Sequence, residues 1–162
     1  MIVIVNLHTY RHRARPGVEL TYVGRRAGSW TGSPLANPFP LVAEAAREEC
    51  FAKYEAWLHE QSAASEAGRE LRRLAKIAAT GSLLLACWCA PALCHADAIR
   101  REIERLNSPF CRAWEAADEE GRYALDERAA ILEFEAGLER GEAERRAVEA
   151  IGRTSRRERT KQ

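Results

Sequence analysis

Ser82-Leu83-Leu84-Leu85-Ala86-Cys87 runs directly into Trp88-Cys89-Ala90-Pro91-Ala92-Leu93-Cys94-His95. The first six residues are an apolar run, the pattern of a strand covered on both faces. Cys94 or His95 then opens a helix to about Leu106, with Ile99, Ile103 and Leu106 turned inward. A buried strand feeding a helix is the repeating half of an α/β fold.

Upstream, Met1 to Leu7 is a second continuous apolar, β-branched run, and Leu20-Thr21-Tyr22-Val23-Gly24 reads as a short strand. His8 to Glu19 is basic and carries the turn signal Pro16-Gly17. Arg25 to Pro40 is a long loop rich in Gly, Ser and Pro, with Trp30 and Phe39 as anchors. Loops of that length inside compact domains are often functional. A helix is predicted over 42–61, with Ala43, Ala46, Cys50, Tyr54 and Trp57 on one face. Another is predicted over 66–79 through Ala67, Leu71, Leu74 and Ala78, ended by Gly81.

Residues 1–106 are therefore expected to form an α/β domain. Its parallel or mixed sheet carries packed helices in two or three layers and is Rossmann-like. Asn107-Ser108-Pro109 marks a boundary. Beyond it, Trp114, Leu125, Ala129, Leu132, Leu138, Ala143, Ala147 and Ile151 predict two or three short helices, punctuated by Gly121, Gly137 and Gly141. This appendage, 107–151, is expected to bury little core alone, and so to dock on the body or to bind a protein partner through 110–151. Residues 152–162 are expected to be a basic, disordered tail.

Formal net charge is +1, but residues 1–40 hold five Lys/Arg against one Asp/Glu, as do residues 151–162. Basic ends on an acidic body suit contact with phosphate. No apolar stretch is long enough to cross a bilayer, and Met1 to Asn6 lacks the basic start of a signal peptide, so a cytoplasmic protein with no membrane partner is expected. Five cysteines in such a chain argue against a disulfide framework.

In open α/β sheets, ligands gather beyond the carboxyl ends of the strands, where helix N-termini offer free N–H groups. Parallel strands would bring Asn6, Arg25, Cys87, Cys89, Cys94 and His95 to one such edge. There Arg25 and the helix start would hold an anion, with Asn37 and Asp97 orienting it. The ligand expected is a phosphate-bearing small molecule or a nucleic acid.

Three readings of the Cys/His run compete. As zinc ligands, Cys87, Cys89, Cys94 and His95 are the right residue types, but the spacing is not that of a zinc knuckle, and adjacent Cys94 and His95 would strain to face one ion. As a reactive site, Cys94 beside His95 at a helix start is a candidate nucleophile. As packing, Cys87 and Cys89 simply fill a strand end, and this reading is preferred. No metal or other cofactor is favoured, and whether the chain is an enzyme stays open. The P-loop, Gly-x-Gly-x-x-Gly and His-Glu-x-x-His motifs are missing from the sequence.

Tyr22-Val23-Gly24-Arg25, Trp30, Asn37-Pro38-Phe39, Cys87-Trp88-Cys89-Ala90-Pro91 and Cys94-His95-Ala96-Asp97 occur in that order. Together they resemble the motifs of a family known as domain of unknown function 4326, over residues 1–106. That resemblance implies a phage or bacterial origin, a fold and a site, but no reaction. The chain departs from the family pattern at Ala36 and Ala96, where glycine is usual. Each change implies either a backbone that does not need a positive φ or a relaxed approach of the ligand to the backbone. Residues 126–151 are similar to segments appended to phage- and plasmid-borne proteins, which adds a mobile-element association. The alternatives to a phosphate-binding site are a non-catalytic interaction protein acting through its helical tail and a zinc-stabilised nucleic-acid module.

Overall fold

The computed structural model describes residues 1–11 and 15–159, with side chains as far as Gly152. The chain divides into two compact units, residues 1–106 and 107–162.

The first unit is built on three strands, β1 (Ile2–Asn6), β2 (Val18–Tyr22) and β3 (Ser82–Cys87). β3 lies in the middle and pairs in parallel with both others, in the order β1-β3-β2. Its central position explains its composition. Leu83, Leu84, Leu85, Ala86 and Cys87 are all buried, because a middle strand has neighbours on both edges and apolar cover on both faces. β2 begins two residues earlier than predicted, at Val18, and Gly17 immediately before it takes φ +72.

The helices of this unit pack on one face of the sheet. They are α1 (Arg47–His59), α2 (Glu66–Thr80) and α3 (His95–Leu106), and a turn of 3-10 helix at Glu44–Ala46 leads into α1. Alternate strand residues Ile2, Ile4, Leu83, Leu85 and Cys87 meet Tyr54, Leu58, Leu71, Leu74, Ile99 and Ile103 in one core cluster. The opposite face carries a smaller cluster of strand residues, Val3, Val5, Leu20, Leu84 and Ala86, with Tyr10. Within this unit the architecture is a two-layer α/β arrangement with a small parallel sheet. α1 buries Tyr54 and Leu58, while Ala43, expected on its inner face, lies before the helix and is exposed. The α2 stripe matches its predicted positions, with Ala67, Leu71 and Leu74 buried and Ser65 capping through Gly68 N at 2.9 Å.

The second unit comprises α4 (Pro109–Ala116), α5 (Glu119–Phe134) and α6 (Arg140–Arg159). Ser108 caps α4, and Pro109 occupies its first turn, where a missing N–H costs nothing. Phe110, Leu125, Ala129 and Ala147 form a core of this unit's own, with Trp114, Leu132 and Ile151 packed around it. This corrects the expectation that the appendage buries little by itself. α5 and α6 run 16 and 20 residues, and small side chains at Ala129, Ala143 and Ala147 are completely buried. The tail expected to be disordered from 152 continues as α6 to Arg159, a stretch rich in the helix-favouring Arg and Glu. Its last three residues, 160–162, lie outside the described residues. Among the described residues, no helix is long and apolar enough to cross a membrane.

Candidate metal centre and adjoining pocket

All three strands point their carboxyl ends the same way, so Asn6, Tyr22 and Cys87 finish at one edge of the sheet. Past Cys87 the chain turns through 88–93 before α3 begins. Two side chains pin that turn. Asn6 Nδ2 donates to the carbonyls of Ala90 and Trp88, while its Oδ1 accepts from His8 N at 2.7 Å. Arg47 donates from Nη1 to Leu93 O at 3.0 Å and holds Glu44 with its other nitrogens.

Cys94 is the residue at which the chain enters α3. Its N–H points to Asp97 Oδ2 at 3.4 Å, and Asp97 N donates to Cys94 O at 2.8 Å, a reciprocal cap of the helix start. That turn resolves the strain anticipated for adjacent ligands. Cys94 Sγ is 3.2 Å from Cys87 Sγ, and His95 Nδ1 is 3.7 Å from both sulfurs. Including Cys89, the four donor atoms all lie within 4.8 Å of one another. Zinc with thiolates at about 2.3 Å places tetrahedral ligand atoms roughly 3.5–3.8 Å apart, so the spacing is close to that of a metal site. Cys87 and Cys94 do pack into the core, and Cys87, Cys89, Cys94 and His95 together also form a cluster that could hold a metal ion.

The orientation of His95 matters as much as the distances. Its Nε2 donates to Val23 O at 2.9 Å, beyond the end of β2. A histidine whose outer nitrogen is hydrogen-bonded to a carbonyl turns the other nitrogen toward its metal, the usual arrangement behind a ligating imidazole. The Tyr54 ring stands edge-on to His95 at 5.5 Å, and Tyr54 Oη donates to Leu35 O at 2.7 Å, fixing that wall. Burial, with smaller contributions from Cys94 and Cys87, raises the Tyr54 pKa and keeps the hydroxyl protonated. Tyr54→Phe is expected to cost about 2 kcal/mol in urea unfolding, because the Leu35 carbonyl loses its partner in a buried place. An unchanged midpoint would show that this carbonyl is satisfied some other way.

Hydrogen bonds from Cys87, Cys94 and His95 lower the Cys89 pKa. Hydrogen bonds with Cys87 and Cys89, reinforced by burial, raise that of Cys94. Burial opposes charge on His95, yet its hydrogen bonds with Cys87 and Cys89 outweigh it and raise its pKa to about 10. Binding a metal ion at this cluster would require the thiols to give up their protons.

A pocket of about 250 Å³ opens above this cluster. Tyr22, Arg25, Arg26, Asn37, Phe39, Arg47 and Trp88 line it, together with all four cluster residues. Asn6 and Asp97 are not among them. They line a second hollow of about 520 Å³ with Pro91 and Arg100, and their own bonds show them bracing the turn and the helix start. Arg25 reaches the first pocket, but its Nε and Nη2 donate to Asn37 O at 2.8 Å and Phe39 O at 2.7 Å. It clamps the long loop, and Asn37 supports that loop in turn through Phe39 N at 2.8 Å. Arg26 is exposed on the pocket wall and has no hydrogen-bond or ion-pair partner among the described residues. Sequence reasoning missed Arg47, Tyr54 and the Val23 carbonyl. Only Tyr54 carried a signal, as a large residue on the predicted inner face of α1.

A family model described as domain of unknown function (DUF4326) matches residues 5–105. The chain belongs to this family. The DUF4326 segment contains β2, β3, the long loop and all four cluster residues, and it ends where the first compact unit ends. At Ala36 and Ala96 the backbone is unstrained, since no described residue other than glycine has a positive φ. Ala96 is completely buried inside the first turn of α3. No curated protein and no solved structure matches the chain.

Proposed function

We propose that this chain is a zinc-bearing binding domain for a small phosphate-bearing ligand, a nucleotide or a nucleic-acid end, seated at the carboxyl edge of the sheet. The observation that carries the zinc is the bond from His95 Nε2 to Val23 O, which leaves Nδ1 facing Cys87 and Cys94 at 3.7 Å. Three thiolates and one imidazole are a donor set suited to zinc rather than to magnesium or calcium. Held there, the ion would tie together the end of β3, the turn and the start of α3.

The ligand part rests on the pocket above the cluster. Arg26 offers an uncommitted guanidinium, and Tyr22, Phe39 and Trp88 supply flat apolar walls for a ring. A guanidinium is the side chain best matched to phosphate oxygens, which it can grip with two N–H groups.

A thermal-shift screen of inorganic phosphate, nucleotides and short oligonucleotides tests this reading. At a hundredfold excess over its dissociation constant, a true ligand stabilises the folded protein by about 2.7 kcal/mol. Arg26→Ala is expected to remove most of that shift while leaving the unliganded melting temperature within a degree or so, because exposed positions carry little stability. If no phosphate compound shifts the wild-type protein, or the Arg26→Ala protein responds equally, the phosphate reading falls.

A further inference from the structure

The geometry points to Cys89 as an exchangeable ligand: Cys87, Cys94 and His95 hold the zinc, and an oxygen donor entering the pocket, a phosphate oxygen or water, takes the place of the Cys89 thiolate. This rests on the zinc reading above and concerns what the metal presents to the pocket.

The four side chains are not equivalent. Cys87 and Cys94 are each only 2% exposed and belong to the core cluster, whereas Cys89 is exposed. Cys87 is the last residue of the central strand, where its carbonyl accepts from Leu7 N at 3.0 Å. Cys94 is fixed by the capping pair with Asp97, and His95 by the carbonyl of Val23. These three are held by strand, helix and hydrogen bond. Cys89 instead sits in the turn 88–93, where Asn6 and Ala92 N brace the backbone carbonyls but its own side chain is exposed in the pocket lining.

Two cysteines and one histidine with a fourth position open is a ligand set found at catalytic zinc, whereas four fixed ligands make a closed structural site. Arg47 lines the same pocket as Cys89 and is anchored there by Glu44 and the Leu93 carbonyl. It gives a displaced thiolate a cationic neighbour. In the exchange the zinc–sulfur bond to Cys89 breaks and the sulfur keeps its electron pair, as a thiolate beside Arg47. The incoming oxygen donates a lone pair to the metal, and no electron is transferred. The ligand would then be gripped at two points, its phosphate on the metal and on Arg26.

Metal analysis of full-length protein after exhaustive dialysis distinguishes the two claims. Wild type is expected to hold about one equivalent of zinc, Cys89→Ala to keep about one, and Cys94→Ala to keep less than about a tenth. Cobalt-substituted wild type supplies a measurement that needs no variant. Iodoacetamide should alkylate Cys89, located by peptide mapping, while the cobalt stays bound and its visible absorption shifts. Inorganic phosphate should shift the same bands in the Cys89→Ala cobalt protein. If wild type holds zinc but Cys89→Ala loses it as completely as Cys94→Ala, Cys89 is a fixed ligand and the inference is overturned. Loss of cobalt in step with Cys89 alkylation, or bands unmoved by phosphate, overturns it too. A wild-type protein that holds no zinc removes the metal reading and this inference together.

Discussion

Stripping zinc from the wild-type protein with a strong chelator is expected to lower its melting temperature by about 15 °C. The magnitude follows from linkage. An ion present at about a thousandfold over its dissociation constant contributes about 4 kcal/mol, and each kcal/mol moves the midpoint of a domain of about 100 residues by roughly 4 °C or more. The contribution falls on the unit that needs it. Cys87 closes the central strand and Cys94 opens α3, so both ends of the 88–93 turn would come loose together. Cys94→Ala should reproduce the loss without chelator and leave the protein unresponsive to added zinc. Cys50→Ser, on α1 and outside the four-residue cluster, should keep full metal content. A melting curve that ignores both chelator and zinc, with Cys94→Ala melting like wild type, would return the cluster to simple packing.

Gly68→Ala is expected to cost about 3 kcal/mol, near the top of what an overpacked site usually loses. Gly68 is in the first turn of α2, and a methyl group there would lie 1.9 Å from Ser62 O and 2.8 Å from Ser62 C. Those atoms are backbone, so no rotamer change relieves the overlap. The turn has little room to yield, since Ser65 N and Oγ both donate to Ser62 O, at 3.0 and 2.9 Å. Moving it also weakens the Ser65 cap, which is worth about 1 kcal/mol by itself. Gly152→Ala makes the contrast. Nothing lies within 4 Å of its added carbon, and within a helix alanine is favoured over glycine by about 1 kcal/mol. Urea unfolding of both variants would decide the matter. A Gly68→Ala midpoint equal to wild type would mean that the 62–65 turn is not held as described.

The strands and the three helices of the first unit were legible because their apolar residues recur at fixed spacing. Leu83 to Cys87, Leu71 with Leu74, and Ile99 with Ile103 are buried as periodicity requires. The start of β2 was hidden by Glu19, a charged residue inside a strand, whose carboxylate is met by Arg73 at 2.6 Å from α2. That ion pair joins positions far apart in sequence, and periodicity carries no information about it. The length of α6 was hidden for a related reason. Its last residues are polar all round, and polarity reads as a tail unless helix propensity is weighed against it.

At the site, residue types were legible but their grouping was not. The spacing rule for zinc knuckles describes ligands brought together by one tight turn. Here a strand end, a turn and a helix cap bring them together, so the rule did not apply. Arg25 was read as a ligand group because nothing in the sequence shows that the Asn37 and Phe39 carbonyls already engage it. Asn6 and Asp97 were placed at the right edge of the sheet, and their roles as braces emerged only from their hydrogen bonds.

The placing of β3 between β1 and β2 also orders events while the chain is being made. β1 and β2 leave the ribosome early but share no ladder with each other; each must wait for residues 82–87. Closing contacts over so long a stretch of chain is slow compared with forming local helices, so α1 and α2 can form before any sheet exists. The strand that completes the sheet ends in Cys87, with Cys89, Cys94 and His95 emerging directly behind it. Sheet and Cys/His cluster therefore belong to one late step in the nascent chain's life, and a ribosome stalled before residue 95 would hold a chain that has neither a finished core nor a complete cluster.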